Sequence, residues 1–294
     1  MNKIDNRNKL DSADGLTVPS VDQPVTIIRP PKGWVALGLH ELWEYRDLLF
    51  LFAWRDIKVR YKQTIVGVTW AIIQPFIAMV VLSVFFGKFV KISSEGFPYP
   101  IFAYSALVPW TYFVNVLTQS SNSVVNNRTV ITRVYFPRLI IPMTSVMTGL
   151  LDFAIALVIL LGMMLFYGIV PTAAIWTLPF FVLLAIATAL GLGLWLAALN
   201  VQYRDVGFTL PFLTQVWFFA TPIAYPSSLV PEPLRAVYGL NPMVGVVEGF
   251  RWALLGKTQA PSMLLVMSVL VATGLLIGGL YFFRYKEDTF ADVV

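Results

Sequence analysis

The chain has 294 residues, 57% of them hydrophobic and only 13% charged, with a formal net charge of +5 and a mean hydropathy of +0.73. Soluble domains carry about 25% charged residues, so this balance excludes a water-soluble globular fold and makes lipid the solvent. Cysteine is absent, which rules out disulfides, thiolate catalysis and cysteine metal sites.

Residues 1–33 are polar, with Asp11, Asp14 and Asp22 among Asn, Ser and Pro, and contain no apolar stretch of signal-peptide length. They are expected to form a disordered cytoplasmic tail, and residues 34–294 a single membrane domain. Residues 39–54, LHELWEYRDLLFLFAW, are too charged to span. Leu42, Tyr45, Leu49, Phe52 and Ala53 recur at helical spacing, with Glu41, Glu44 and Asp47 on the other side. The pattern predicts an amphipathic helix lying in the membrane interface. Arg55, Lys58 and Lys62 follow on one helical face. Two readings fit them: ordinary anchoring to anionic lipid, or a cationic rim that meets a phosphorylated substrate.

Six apolar segments then approach the ~20 residues a spanning helix needs: 64–87, 99–123, 140–168, 176–200, 206–225 and 263–283. The connection at 124–142 places Val130, Ile131, Val134 and Tyr135 beside Arg128 and Arg133, and Phe136-Pro137-Arg138 ends it. A small amphipathic helix there would suit either docking to another protein or an interfacial elbow. Asp152 is the acid inside an apolar run, an expensive placement in lipid. It reads as a helix–helix hydrogen-bonding post, since spans three to six offer no second buried ionisable group to complete a proton relay. Ala189 to Leu194, ALGLGL, supplies small residues for close helix approach. Prolines at 226, 231, 233 and 242 break the stretch 226–262 into two short half-helices, near 233–239 and 242–255. These are too short to span and are predicted to be re-entrant, with Glu248 and Arg251 paired at i, i+3.

Of the 21 Lys and Arg, sixteen fall before span one, in 124–142, at Arg204 or after residue 283. By the positive-inside bias both termini are cytoplasmic. No G-x-x-x-x-G-K-[ST] phosphate loop occurs. The acids beyond the N-terminal segment are scattered, and no D-x-D pair or histidine cluster stands beside the lone His40. No catalytic residue and no metal site are expected, and no enzyme. A conduit without an engine implies a partner that supplies one.

Five stretches in this order resemble the permease subunit of ABC-2-type exporters, in the branch that exports bacterial surface polysaccharides such as O-antigen, capsule and teichoic acid. They are RDIKVRYKQTIVGVTWAIIQP at 55–75, FPRLIIP at 136–142, QYRDV at 202–206, ATPIAYP at 220–226 and NPMVGVVEGFRWALLG at 241–256. The resemblance covers about residues 38–290.

It implies an all-α integral membrane fold of six transmembrane helices, with an N-terminal interfacial helix. A cytoplasmic coupling helix would lie between spans two and three, and re-entrant helices between spans five and six. It implies a homodimer in the bacterial inner membrane, binding two copies of a separate ABC ATPase subunit that holds ATP and magnesium. No cofactor in this chain and no nucleic-acid partner are implied. The cargo would be polysaccharide on undecaprenyl phosphate or pyrophosphate, most plausibly O-antigen, moved from the cytoplasmic to the outer face. A lipid or drug efflux permease is the alternative. Asn127, Arg128, Arg133, Val134, Tyr135 and Arg138 would couple to the ATPase. Arg55, Lys58, Arg60, Lys62 and Arg204 would line the headgroup entrance. Tyr61, Trp70, Trp110, Tyr112, Trp217, Phe218 and Tyr225 would offer flat rings to sugar C–H faces.

Overall fold

A computed structural model describes residues 39–62, 67–256, 263–287 and 290. The tail at 1–33 and Lys257 lie outside the described residues, as does the side chain of Trp70. Every regular element among the described residues is helical. In chain order these are α1 (Leu39–Glu44), α2 (Arg46–Lys62), α3 (Gly67–Leu82), α4 (Tyr99–Asn126), α5 (Arg128–Ile131), α6 (Ile140–Phe166), α7 (Leu178–Gln202), α8 (Asp205–Phe219), α9 (Glu232–Gly239), α10 (Pro242–Leu255) and α11 (Met263–Glu287). A π-helical run, Ser83–Phe89, extends α3, and a 3-10 turn, Ala173–Thr177, leads into α7.

Among the described residues, five helical stretches are long and apolar enough to cross a membrane: Ile72–Phe89, Tyr99–Asn126, Ile140–Phe166, Ala173–Gln202 and Met263–Glu287. Helix α4 is the buried centre, whereas α3, α6 and α11 bury only a minority of their most apolar stretches. Several of the polar residues of α4 satisfy themselves. Ser105, Thr111 and Ser123 donate to carbonyls three or four residues back, which keeps bare hydroxyls out of lipid. The ALGLGL stretch closes the packing around it. A Cβ on Gly193 would lie 2.6 Å from Ser120 Oγ on α4, and one on Gly191 within 2.8 Å of the Leu275–Leu276 backbone on α11. Only glycine allows both approaches.

Helix α8 is shorter than its apolar run. Its 15 residues reach about 22 Å, against a hydrocarbon core of about 30 Å. The helix stops at Phe219 because Pro222 cannot donate to a further turn and disfavours helical geometry at Thr221. The chain nevertheless continues alongside α4. Gly207 packs against Asn122, Trp217 and Phe218 meet Phe113 and Trp110, and Tyr99 donates to the Ala224 carbonyl at 2.6 Å. Residues 207–224 therefore run antiparallel to α4 from Asn122 to Tyr99.

The two half-helices form close to the expected bounds. Asn241 caps α10 by accepting from the Met243 N–H at 3.1 Å, Pro242 opens the helix, and Gly256 ends it with φ +75°. Almost all of α10 is buried, against α4, α7 and α11. Arg251 holds it there. Its side chain is fully buried, 3.2 Å from Glu248, and donates to the Ile223 carbonyl at 2.8 Å while its guanidinium lies 3.6 Å from the Phe102 ring centre.

The amphipathic N-terminal segment also differs from its expected outline. It breaks at Tyr45 into α1 and α2, and α2 runs on to Lys62. Leu42, Leu49 and Phe52 still form the packed side, against a second apolar cluster built on Ile131, Phe136, Leu139 and Phe283.

Candidate functional site

The basic connection between α4 and α6 folds as a short turn of helix rather than as the amphipathic helix expected within 124–142. Asn127 ends α4 by donating from its side chain to the Ser123 carbonyl, and α5 is four residues long. Thr132 turns its hydroxyl back onto Arg128 and Thr129, and Pro137 forbids helix through Phe136. The apolar stripe therefore splits. Ile131 and Phe136 are buried, whereas Val134 and Tyr135, 57% and 74% exposed, project with Arg128 and Arg133 into open space.

Two expected coupling residues are tied inward. Asn127 Oδ1 accepts from Arg55 at 3.0 Å, and the Phe52 and Phe136 rings meet edge to face at 5.7 Å. The Arg138 backbone N–H donates to Glu287 Oε1 at 3.0 Å, and its guanidinium to the Glu287 carbonyl. Glu287 in turn pairs with Arg284 at 2.7 Å, and Arg284 with Glu41 at 3.2 Å. The start of α1, the end of α11 and the basic connection thus share one end of the structure. Sequence reasoning missed this network, whose members are polar residues scattered along the chain from Glu41 to Glu287.

The expected entrance residues divide between two environments. Arg55 also pairs with Asp56 at 2.8 Å, and Lys58 lies over the Trp54 ring. Lys58 and Lys62 are exposed, and Arg204 is exposed at the α7–α8 turn. Arg60, about 200° around the helix from either lysine, meets α6: its Nη1 lies 2.5 Å from Asp152 Oδ2, and the Tyr61 hydroxyl donates to Asp152 Oδ1. Burial first, then the Asp152 hydrogen bond and charge, pushes the Tyr61 hydroxyl well above its usual value. Tyr61 therefore stays a neutral donor, and Asp152 holds α2 against α6.

The remaining rings mostly pack inside. Tyr112 is buried against Phe153, Tyr225 donates to the Phe219 carbonyl, and the Trp217 indole N–H donates to Asn241 Oδ1 at 2.9 Å. Phe218 is half-buried, and Trp110, packed on Phe113 and Phe218, is only 5% exposed. Together with Val114, Pro211, Thr214, Gln215 and Phe219 they line an open groove of about 320 Å3 between α4 and α8. Beside it Phe208 and Phe212 are 85% and 66% exposed. Rings flanked by an amide and a hydroxyl can stack on sugar C–H faces and hydrogen-bond their hydroxyls. Among the described residues no three His, Asp or Glu gather as metal ligands.

Residues 47–255 match the family described as "ABC-2 type transporter". The chain is 30% identical over 259 residues to "O-antigen export system permease protein RfbA" of Myxococcus xanthus, covering 87% of this chain and 98% of that one. It is 26% identical over 251 residues to the Klebsiella pneumoniae protein of the same name, covering 84% and 95%. "Polysialic acid transport protein KpsM" of Escherichia coli is 22% identical over 253 residues, covering 82% and 93%.

Proposed function

Because the chain belongs to the ABC-2 type transporter family, we propose that it is the membrane permease of an ATP-driven polysaccharide exporter. The cargo is a glycan on undecaprenyl phosphate or pyrophosphate, with O-antigen the leading candidate. The observation that carries this reading is the near full-length similarity to permeases named for O-antigen export. In the bacterial inner membrane, residues 205–224 make a sixth crossing beside the five apolar helices, which leaves both termini on the cytoplasmic side. The end shared by α1, α11 and the basic connection, held by Glu41, Arg284 and Glu287, supports that orientation.

ATP is hydrolysed by a separate ABC subunit, two copies per permease dimer. Arg128, Arg133, Val134 and Tyr135, the projecting part of the basic connection, take up its movement, while Asn127 and Arg138 pass that movement to α2 and to the end of α11. Lys58, Lys62 and Arg204 draw the anionic headgroup to the cytoplasmic mouth, with Arg55 and Arg60 behind them. The open α4–α8 groove, with Trp110 and Phe218, becomes a channel wall when a second copy covers the exposed α8 face.

Reconstitution tests the reading. Permease and ATPase subunits together in liposomes should move a lipid-linked oligosaccharide across the bilayer only with ATP and magnesium. Movement without the ATPase, or movement of simple lipids in preference to the glycan carrier, would overturn it.

A further inference from the structure

Arg60, like Arg55 with its neighbour Asp56, already has an anion from the protein, but the anion of Arg60 lies on a different and apolar helix. Asp152 stands twelve residues into α6, about 18 Å along its axis, with its side chain 13% exposed and 2.5 Å from a guanidinium that remains 35% exposed. The Tyr61 hydroxyl occupies the other carboxylate oxygen. A carboxylate within an apolar helix costs about 3 kcal/mol. A plain packing post could have been a serine or asparagine, which hydrogen-bonds at lower cost.

We propose that Asp152 is a built-in competitor that keeps Arg60 from being occupied by resident monoanionic phospholipid. The inference rests on the reading of α2 as part of a capture site for lipid-linked anions. A bare guanidinium fork at the membrane binds any phosphate it meets, bidentately, and bulk phosphodiesters far outnumber a lipid-linked glycan. Asp152 subtracts the same free energy from every ligand that must displace it. A singly charged phosphodiester then falls below useful affinity, whereas a diphosphate, with two charges and more acceptor oxygens, stays above it. The displaced carboxylate keeps Tyr61 as a donor, so the exchange is reversible.

The test uses the permease with its ATPase subunits in nanodiscs, and farnesyl-diphosphoryl-N-acetylglucosamine as probe. In phosphatidylcholine, D152N should bind the probe about tenfold more tightly than the parent. In discs rich in phosphatidylglycerol the parent should hold its affinity, while D152N should lose its gain to the competing lipid. D152E should restore the parental pattern. A purely structural Asp152 predicts weaker binding, or none gained, in both lipids, and that result overturns the proposal. R60K keeps the ion pair but loses the fork, and should bind the probe several-fold more weakly; unchanged binding would also overturn it. Failure of the parent to bind the probe in either lipid would instead remove the capture reading, and this inference with it.

Discussion

The guanidinium of Arg55 donates to the side-chain oxygen of Asn127 at 3.0 Å across 72 positions of sequence. One residue belongs to the basic face of α2 and the other to the junction of α4 and α5, so the proposed entrance and the proposed ATPase contact touch. Replacing Asn127 with alanine removes that acceptor. The contact is exposed and worth about 1 kcal/mol, so the fold should survive. Export per ATP hydrolysed should fall several-fold, measured by parallel ATPase and transport assays; an unchanged ratio would show that the contact transmits nothing.

Arg133 and Tyr135 project from the chain and should matter only to a partner. The double replacement R133A/Y135A should shift stability by no more than about 0.5 kcal/mol. It should also reduce co-purification of the ATPase subunit and uncouple hydrolysis from export. Normal export by this variant would contradict the coupling assignment.

Lys58 and Lys62 test the entrance more cleanly than Arg55, which is also bound to Asn127 and Asp56. K58Q/K62Q should raise the KM for lipid-linked substrate several-fold and flatten its dependence on ionic strength, since exposed charges act through a screened field. Maximal rate should change less than KM. Equal KM values at low and high salt for parent and variant would return both lysines to membrane anchoring.

Arg251 anchors α10 from a fully buried site. Removing it leaves Glu248 as an unpaired charge, a loss of about 3–5 kcal/mol. R251M should unfold at markedly lower temperature in detergent, and R251M/E248Q should recover part of the loss. A double variant no better than R251M would mean that the ion pair adds nothing beyond the carbonyl and ring contacts of the arginine.

Gly191 should tolerate no side chain. Its neighbour is the backbone of α11, which cannot rotate aside, so G191A should cost about 1–3 kcal/mol. The thermal midpoint reports the cost directly.

Local rules made much of the fold legible. The prolines at 226, 231, 233 and 242 delimit α9 and α10, the i, i+3 spacing pairs Glu248 with Arg251, and the small residues of ALGLGL mark close helix contacts. Tertiary pairing was not legible. The cost of Asp152 in lipid announced a partner, but nothing local names Arg60, 92 positions away. The apolar stripe at 130–135 suggested one helix, yet Pro137 and the Thr132 side chain end it early and turn Val134 and Tyr135 outward. Residues 206–225 carry the composition of a span but only 15 residues of regular helix, because Pro222 halts it while packing against α4 carries the chain onward. The basic face of α2 was visible as charge, whereas its division between exposed lysines and a buried-side Arg60 depended on where α6 lies.

Depleting the chain in its host and assaying lipid-linked glycan on each face of the inner membrane tests the central claim most directly. The account predicts undecaprenyl-linked polymer accumulating on the cytoplasmic face while surface glycan disappears. Undiminished surface glycan with no internal polymer, in a strain without a second exporter, would contradict it.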